Sequence, residues 1–335
     1  MQHKVPTIQE IARILNLSKS TVSRALRNHH SIGLRTTMRV QKLAKELNYE
    51  PDQTAISFKQ RKTFSIGVIM PSFETYFCNA IYGIEDVAHA RNFNVLIGQT
   101  REDYEREVKI METMRKQRVD GIITSMSKNT PDIGHFLKCR QYNIPLVFLD
   151  RVPDVPDINS VWCSLYSSTL EAISLLISRG HKRIGLIEGP PTLHIRNERL
   201  KGYLDGHRSH KIPVHDHLIT TTDLSAASTY AAMEKILSSR IKPTAIIAFN
   251  DYVSLDAMHY IKKIKKGSPS ISFVSYSNLP STEYMDHPPL ASVEQFPYEQ
   301  GKRATELLFR QIDGMSRPEM TPMENLILES KLVIH

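Results

Sequence analysis

The sequence contains no run of eighteen apolar residues, so no segment of it is expected to span a membrane. The N-terminal stretch "MQHKVPTIQE" has no apolar core of the kind a signal peptide needs, and a cytoplasmic protein is expected. Cysteine is scarce. Cys78, Cys139 and Cys163 are far apart and odd in number, which gives neither a disulfide framework nor a metal pattern and fits free thiols in a reducing compartment. The fourteen histidines show no ligand spacing on any one helix. Gly189-Pro190-Pro191 follows a strand-like run and is no phosphate-cradling glycine loop. No nucleophile–base pair stands out either, so no catalytic residue, metal or cofactor is expected and the chain does not read as an enzyme.

What is present is a 335-residue chain, 41% hydrophobic and 23% charged, long enough for two or three domains. Its net charge of +8 is unevenly placed. Residues 1–62 hold twelve Lys and Arg against four Asp and Glu, while the rest of the chain balances thirty-one against thirty-one. A basic module on a neutral body points to a polyanion at one end.

Within that module, Thr7-Ile8-Gln9-Glu10 reads as a capping box. Ile8, Ile11, Ala12 and Leu15 recur at helical spacing and predict a helix over about 8–14. Asn16-Leu17 makes a tight connection, and Ser18 is a natural N-cap for a second helix. That helix turns Val22, Ala25 and Leu26 inward and Lys19, Ser20, Ser23, Arg24 and Arg27 elsewhere. A third helix over about 35–47 buries Val40, Leu43, Ala44 and Leu47. Two short helices joined by a few residues, the second apolar on one side and rich in donors on the other, form a helix-turn-helix. The apolar stripe docks the second helix on its own domain, and its polar N-terminal end fits the major groove of duplex DNA. Arg24 can offer a bidentate fork to guanine, and Lys19 and Ser20 stand where base edges are met. Thr7, Ser18, Thr21, Ser23 and Ser31 are expected on phosphates, which fix register rather than sequence.

Beyond residue 62, short β-rich runs alternate with helical stretches: "FSIGVIM", "FNVLIG", "DGIITSM" and "PLVFLD", then "RIGLIEG", "LITT", "AIIAFN" and "ISFVSY". Continuous Val/Ile/Leu runs bounded by helices predict parallel strands covered on both faces. Two such sets predict two doubly wound units of βαβ type, with a ligand cleft outside the strand C-termini.

The motifs "TIQEIARILNLSKSTVSRALRN", "KELNYEPDQTA" and "SIGVIMPSFETYF" together resemble the LacI/GalR family of bacterial transcription regulators. "VDGIITSMS", "IPLVFLDR", "ISRGHKRIGLIEGPP", "ERLKGY" and "PTAIIAFND" continue the match in family order, from Thr7 to about Leu328. The resemblance implies a helix-turn-helix domain over 1–49, a hinge over 50–62 and an effector-binding and dimerisation body over 63–335 of periplasmic-binding-protein-like fold. It implies a homodimer on a near-palindromic operator. A hinge residue, here Phe58, would stand where the family wedges a leucine into the minor groove. It places three crossings between subdomains near Trp162, Ser292 and Pro322. The N-subdomain would then be about 63–161 plus 293–321, and the C-subdomain about 162–292 plus 323–335.

Ligand contacts are expected at strand ends that match the family's ligand-facing positions: Tyr76, Phe77, Ser127, Asp150, Arg151, Arg199, Asn250 and Asp251. Two carboxylates common in the family are missing. Its "GYD" reads "SYS" here, leaving Ser277 and Asn278, and Cys163 replaces another Asp. Carboxylates are natural acceptors for vicinal hydroxyls, and Arg151, Arg196 and Arg199 remain, so the effector is expected to be a small carbohydrate-like or acidic metabolite. The tail "ESKLVIH" carries no heptads, which favours a dimer over a coiled-coil tetramer. The expected function is a sequence-specific DNA-binding regulator, a repressor, gated by a metabolite held between two subdomains. The competing reading, a two-lobed solute-binding protein, shares the body but leaves the basic module without a task.

Overall fold

The computed structural model describes residues 6–50, 62–193, 196–264, 270–315 and 322–335. Phe58 lies outside these residues, as does the side chain of Arg196. The chain divides into two compact units, Met1–Thr63 and Phe64–His335.

The first unit holds α1 (Ile8–Leu15), α2 (Lys19–Leu26) and α3 (Leu34–Glu46). The first two helices start on side-chain caps, and all three stop on an Asn. The Thr7 hydroxyl accepts from the Glu10 amide and the Ser18 hydroxyl from the Thr21 amide. Asn16, Asn28 and Asn48 follow the three helices with φ of 50°, 54° and 49°, a left-handed conformation that Asn tolerates and that breaks the helical run. The core is small: Ile11, Ala12, Val22, Ala25, Val40 and Ala44, flanked by half-buried Leu15, Leu26, Leu43 and Leu47. These are the inward positions that the helical spacing assigned.

The second unit contains two six-stranded sheets. The first part of the chain supplies β1 (Ser65–Met70), α4 (Thr75–Ala90), β2 (Asn94–Gln99), α5 (Tyr104–Lys116), β3 (Gly121–Thr124), α6 (Gly134–Gln141), β4 (Leu146–Leu149) and β5 (Asn159–Ser164). There follow α7 (Tyr166–Ser178), β6 (Ile184–Glu188), α8 (Arg196–Ser209), β7 (Ile219–Thr221), α9 (Ala226–Ser238), β8 (Ala245–Ala248), α10 (Asp251–Lys263), β9 (Ser272–Tyr276) and β10 (Ala291–Glu294). The chain ends with α11 (Pro297–Gly314), β11 (Asn325–Glu329) and β12 (Lys331–Ile334).

The sheet orders are β11-β5-β4-β3-β1-β2 and β12-β10-β9-β8-β6-β7. Each is therefore the same doubly wound pattern, with the order reversing beside its first strand. All pairs are parallel except β10 with β12. Central strands such as β3 and β8 are buried along their whole length, as expected of parallel strands covered by helices on both faces. The eight strands expected from the sequence are present.

The crossings between the two sheets differ in position from those the resemblance implied. The whole of β5, to Ser164, lies in the first sheet, so the first crossing follows Trp162 rather than falling at it. All of β10 lies in the second sheet and α11 begins at Pro297, so the second crossing lies at 295–296. The largest difference is the third: β11 pairs with β5, so the chain crosses at Ser330 and not near Pro322. Ladder pairing of 325–329 with 160–164 decides this, and the apolar pattern of β11 gives no hint of which sheet it joins. Among the described residues no helix is long and apolar enough to cross a membrane, and no group of His, Cys, Asp or Glu could hold a metal ion.

Candidate DNA-reading helix and candidate effector cleft

In the first unit the polar face of α2 is largely open. Ser18, Lys19, Ser20 and Arg24 are exposed, as are Thr7 and Ser31, while Thr21 and Ser23 are half-buried. The side chains of Lys19 and Arg24 have no ion-pair partner among the described residues, which leaves both charges available. The serines and threonines are held rather than loose. The Ser18 hydroxyl lies 2.8 Å from those of both Ser20 and Thr21. Ser23 Oγ accepts from Arg27 Nη2 at 2.7 Å, and Ser31 Oγ pairs with His29 Nδ1 at 2.9 Å. A helix N-terminus with a fixed hydroxyl cluster and two unpaired cations is preset for an anionic partner.

In the second unit the C-terminal ends of both sheets converge on one cleft. Its lining includes Tyr76 and Phe77 on α4, Asp150 and Arg151 after β4, Arg199 on α8, and Asn250 after β8. Most charges in it already face one another. Tyr76 donates its hydroxyl to Asp150 Oδ1 at 2.8 Å and receives the Gln300 amide at 2.9 Å. Burial and the adjacent Asp150 hold the Tyr76 phenol well above its ordinary range, so it stays a donor. Desolvation raises Asp150 itself, opposed by Arg151, by the Tyr76 hydroxyl and by Arg199. Arg151 Nη1 donates to both oxygens of Glu102, at 2.8 and 2.9 Å, and its guanidinium lies 5.3 Å from the Phe77 ring centre.

Arg199 is different. It is 5% exposed, and its Nε and Nη1 are buried with no hydrogen-bond partner. Its guanidinium lies 4.1 Å from the ring centre of Phe249 and 4.5 Å from that of Tyr276. Cation–π contacts of this kind are worth about 2 kcal/mol when desolvated, yet they do not satisfy N–H donors. Desolvation lowers the Arg199 pKa, while Tyr276 and Asp150 oppose the shift. A buried donor without an acceptor costs about 1–3 kcal/mol, so the site carries an unmet demand for an acceptor atom.

The residues matched by known families now bear on both units. Residues 7–52 match the model of bacterial regulatory proteins of the lacI family. Residues 63–333 match that of periplasmic binding proteins and the sugar-binding domain of the LacI family. The chain belongs to the LacI family. It is a DNA-binding transcriptional regulator with a helix-turn-helix domain and an effector-binding domain of that type. Among its relatives is the HTH-type transcriptional repressor PurR of Pasteurella multocida, 28% identical over 312 residues, which are 92% of this chain and 93% of that one. The repressor CytR of Escherichia coli K12 is 28% identical over 315 residues, 93% of this chain and 92% of that one. The crystal structure of the Lac repressor dimer bound to operator and the anti-inducer ONPF superposes with a TM-score of 0.83 at 25% identity, covering 98% of each chain.

Seen as a LacI-family body, the second unit gathers six of the eight expected ligand residues. Ser127 and Asp251 are not brought to the cleft. Ser127 is 1% exposed; its hydroxyl pairs with Thr100 Oγ1 at 2.6 Å and its amide donates to Glu107 Oε2 at 2.7 Å. Asp251 is fully buried. Its carboxylate receives the hydroxyls of Ser275 and Ser292 and the Leu279 amide, tying α10 to β9, β10 and the turn after β9. Both residues are engaged by internal partners and do not line the cleft. Arg151 lines the cleft but is matched by Glu102, so the surplus of guanidinium groups expected from the sequence reduces to Arg199 among the described side chains. Sequence reasoning missed Glu74, Leu193, Phe249, Tyr252 and Gln295, which also line the cleft. Phe249 was legible in principle, because it directly precedes Asn250 at a strand end.

Proposed function

We propose that this LacI-family regulator is a homodimeric repressor. Each protomer would set α2 in the major groove of one half of a near-palindromic operator, and a small polar metabolite in the cleft would change operator affinity. Lys19, Ser20 and Arg24 are the base-reading residues in this reading, and Thr7, Ser18, Thr21, Ser23 and Ser31 hold phosphates. The exposure and lack of pairing of Lys19 and Arg24 support the first role. The phosphate role rests on donors clustered at helix starts. Phe58 as a minor-groove wedge is part of the same proposal.

The observation that carries the effector half is Arg199: a buried guanidinium with two unpartnered N–H-bearing atoms facing a cleft at the ends of two sheets. Arg199 would bind an acceptor of the ligand, Asp150 a donor, and Tyr76, Phe77 and Asn250 would shape the remainder. Because the sheets are linked by three crossings, closure on a ligand moves one lobe against the other. Hydrogen bonds from Lys128 Nζ to the Asp223 carbonyl and from Thr192 Oγ1 to the Lys128 carbonyl join the two lobes. Localisation in the cytoplasm follows from the DNA target.

Selection of bound duplexes from a random pool, repeated with small hydroxy and amino acids, sugars, sugar acids and sugar phosphates, tests the proposal. The expected result is a two-fold symmetric site whose affinity one compound changes by roughly 5–150-fold, with the response lost in Arg199→Lys. A symmetric site whose affinity no compound alters, with Arg199→Lys indistinguishable from wild type, would refute the effector half.

A further inference from the structure

The cleft is narrow where it meets Arg199, and one side chain makes it so. Phe249 follows β8 and is 6% exposed, with its ring centre 4.1 Å from the Arg199 guanidinium carbon. Gly189 follows β6, the strand paired with β8. A Cβ at position 189 would fall 2.3 Å from Phe249 Cε2, so the ring fills the room that any other residue there would need. Tyr276 closes the opposite side at 4.5 Å, and its hydroxyl is fixed on Thr169 Oγ1 at 2.7 Å. The free volume left in the cleft is about 50 Å³. Measured as space open to a water-sized sphere, about 10–15 Å³ holds one water, and pockets for drug-sized ligands run to roughly 300–1,000 Å³. Both rings are packed against the Arg199 guanidinium, and neither offers its N–H donors an acceptor.

We propose that Phe249 is the specificity-determining residue of this cleft. It fills the subsite beside Arg199, so the wild-type protein excludes ring-sized polyols and admits only a small monoacid carrying a hydroxyl or amine. This inference rests on the reading of the cleft as an effector site. The charge balance sets the ligand class. With Arg151 engaged by Glu102, the one unpartnered guanidinium described in the lining shares it with two carboxylates, Asp150 and Glu74. A dianion such as a sugar phosphate meets more negative than positive charge there. A monoacid offers one carboxylate to Arg199 and a donor to Asp150. Phe249 acts by volume, and the residues it leaves accessible choose the chemistry.

Calorimetric titration of the full-length protein with lactate, D-ribose and D-glucose tests this in wild type, Phe249→Ala and Phe249→Leu. Phe249→Leu keeps apolar packing at the site and guards against loss of fold, which far-UV circular dichroism monitors. The expected result is that wild type binds lactate at least tenfold more tightly than either sugar. Phe249→Ala gains tenfold or more in affinity for a sugar over wild type, and Phe249→Leu gains less. Equal sugar affinity in wild type and both variants, measurable or absent, overturns the proposal, as does wild-type preference for a sugar over lactate. Arg199→Lys in the Phe249→Ala background separates the two claims. Sugar binding that survives it undiminished refutes Arg199 as the effector anchor and leaves Phe249 as the volume gate.

Discussion

The two units use polar side chains in opposite ways. On α2 the charged groups stand in solvent above a core of six buried residues, and Lys19 and Arg24 remain unpaired. In the second unit most of the cleft's charged groups are buried or half-buried and turned to internal partners, Arg151 to Glu102 and Asp150 to Tyr76, with Glu74 exposed at the edge and Arg199 buried without a hydrogen-bond partner on Nε and Nη1. The difference follows from the size of what each would meet. A duplex is a long polyanion that brings its own charge and needs exposed donors in register. A small ligand must displace internal partners or find a vacancy, and Arg199 supplies the only buried unpaired guanidinium among the described residues.

If that contrast is right, damage to one unit should leave the other's task intact. The largest effect is expected from Ile11→Ala. Ile11 is fully buried in the small core of the first unit, and its truncation should cost about 2–5 kcal/mol there. Operator binding should collapse while calorimetric melting of the second unit is unchanged. Asp251→Ala is the mirror experiment. It strands the Leu279 amide and the hydroxyls of Ser275 and Ser292, and should lower the second unit's stability by about 2–4 kcal/mol in urea unfolding. Helix content of the first unit should not move.

A subtler contrast is in pH. Burial pushes Glu107 up, but bonds from His135 Nε2, the Ser127 amide and Thr130 Oγ1 outweigh it and hold the carboxyl below its ordinary value. A carboxyl depressed in the folded state adds stability that is full above its unfolded pKa and is lost as pH falls through the folded one. Unfolding of Glu107→Gln should therefore show a deficit near about 1–2 kcal/mol at neutral pH that shrinks on acidification below the ordinary glutamate range. A deficit independent of pH would mean the carboxylate's charge contributes nothing. The smallest effect belongs to the first unit: Ser18→Ala removes the α2 cap and should cost about 1 kcal/mol, read as a lower melting point of that unit alone.

The same contrast explains what was legible in the sequence. The helix-turn-helix was readable because caps, spacing and exposed donors are local, and each helix signal lies within a few residues of what it controls. Asp150, Arg151 and Asn250 were legible because they follow strands, visible as the edges of apolar runs, whereas Tyr76, Phe77 and Arg199 lie on helices and were named through the family resemblance. Ser127 and Asp251 look the same at that level. Only pairing partners distant in sequence, Glu107 at 20 residues and Ser292 at 41, show that they turn away from the cleft. The third crossing was misplaced for a similar reason, since β11 joins the first sheet by pairing with a strand 165 residues earlier. Phe249 was visible as a strand-end residue beside Asn250, but its packing into the space left by Gly189 was not, because absent volume leaves no pattern in a sequence.

The central claim is that α2 reads bases through an unpaired Arg24 rather than merely clinging to phosphate. It is tested most directly by measuring, at one fixed salt concentration, the affinity ratio between a selected duplex and its scrambled counterpart for wild type and Arg24→Ala. The account predicts that the ratio falls about tenfold or more, a loss of about 1–3 kcal/mol confined to one position of each half-site. Equal weakening on both duplexes, with the ratio unchanged, would contradict it.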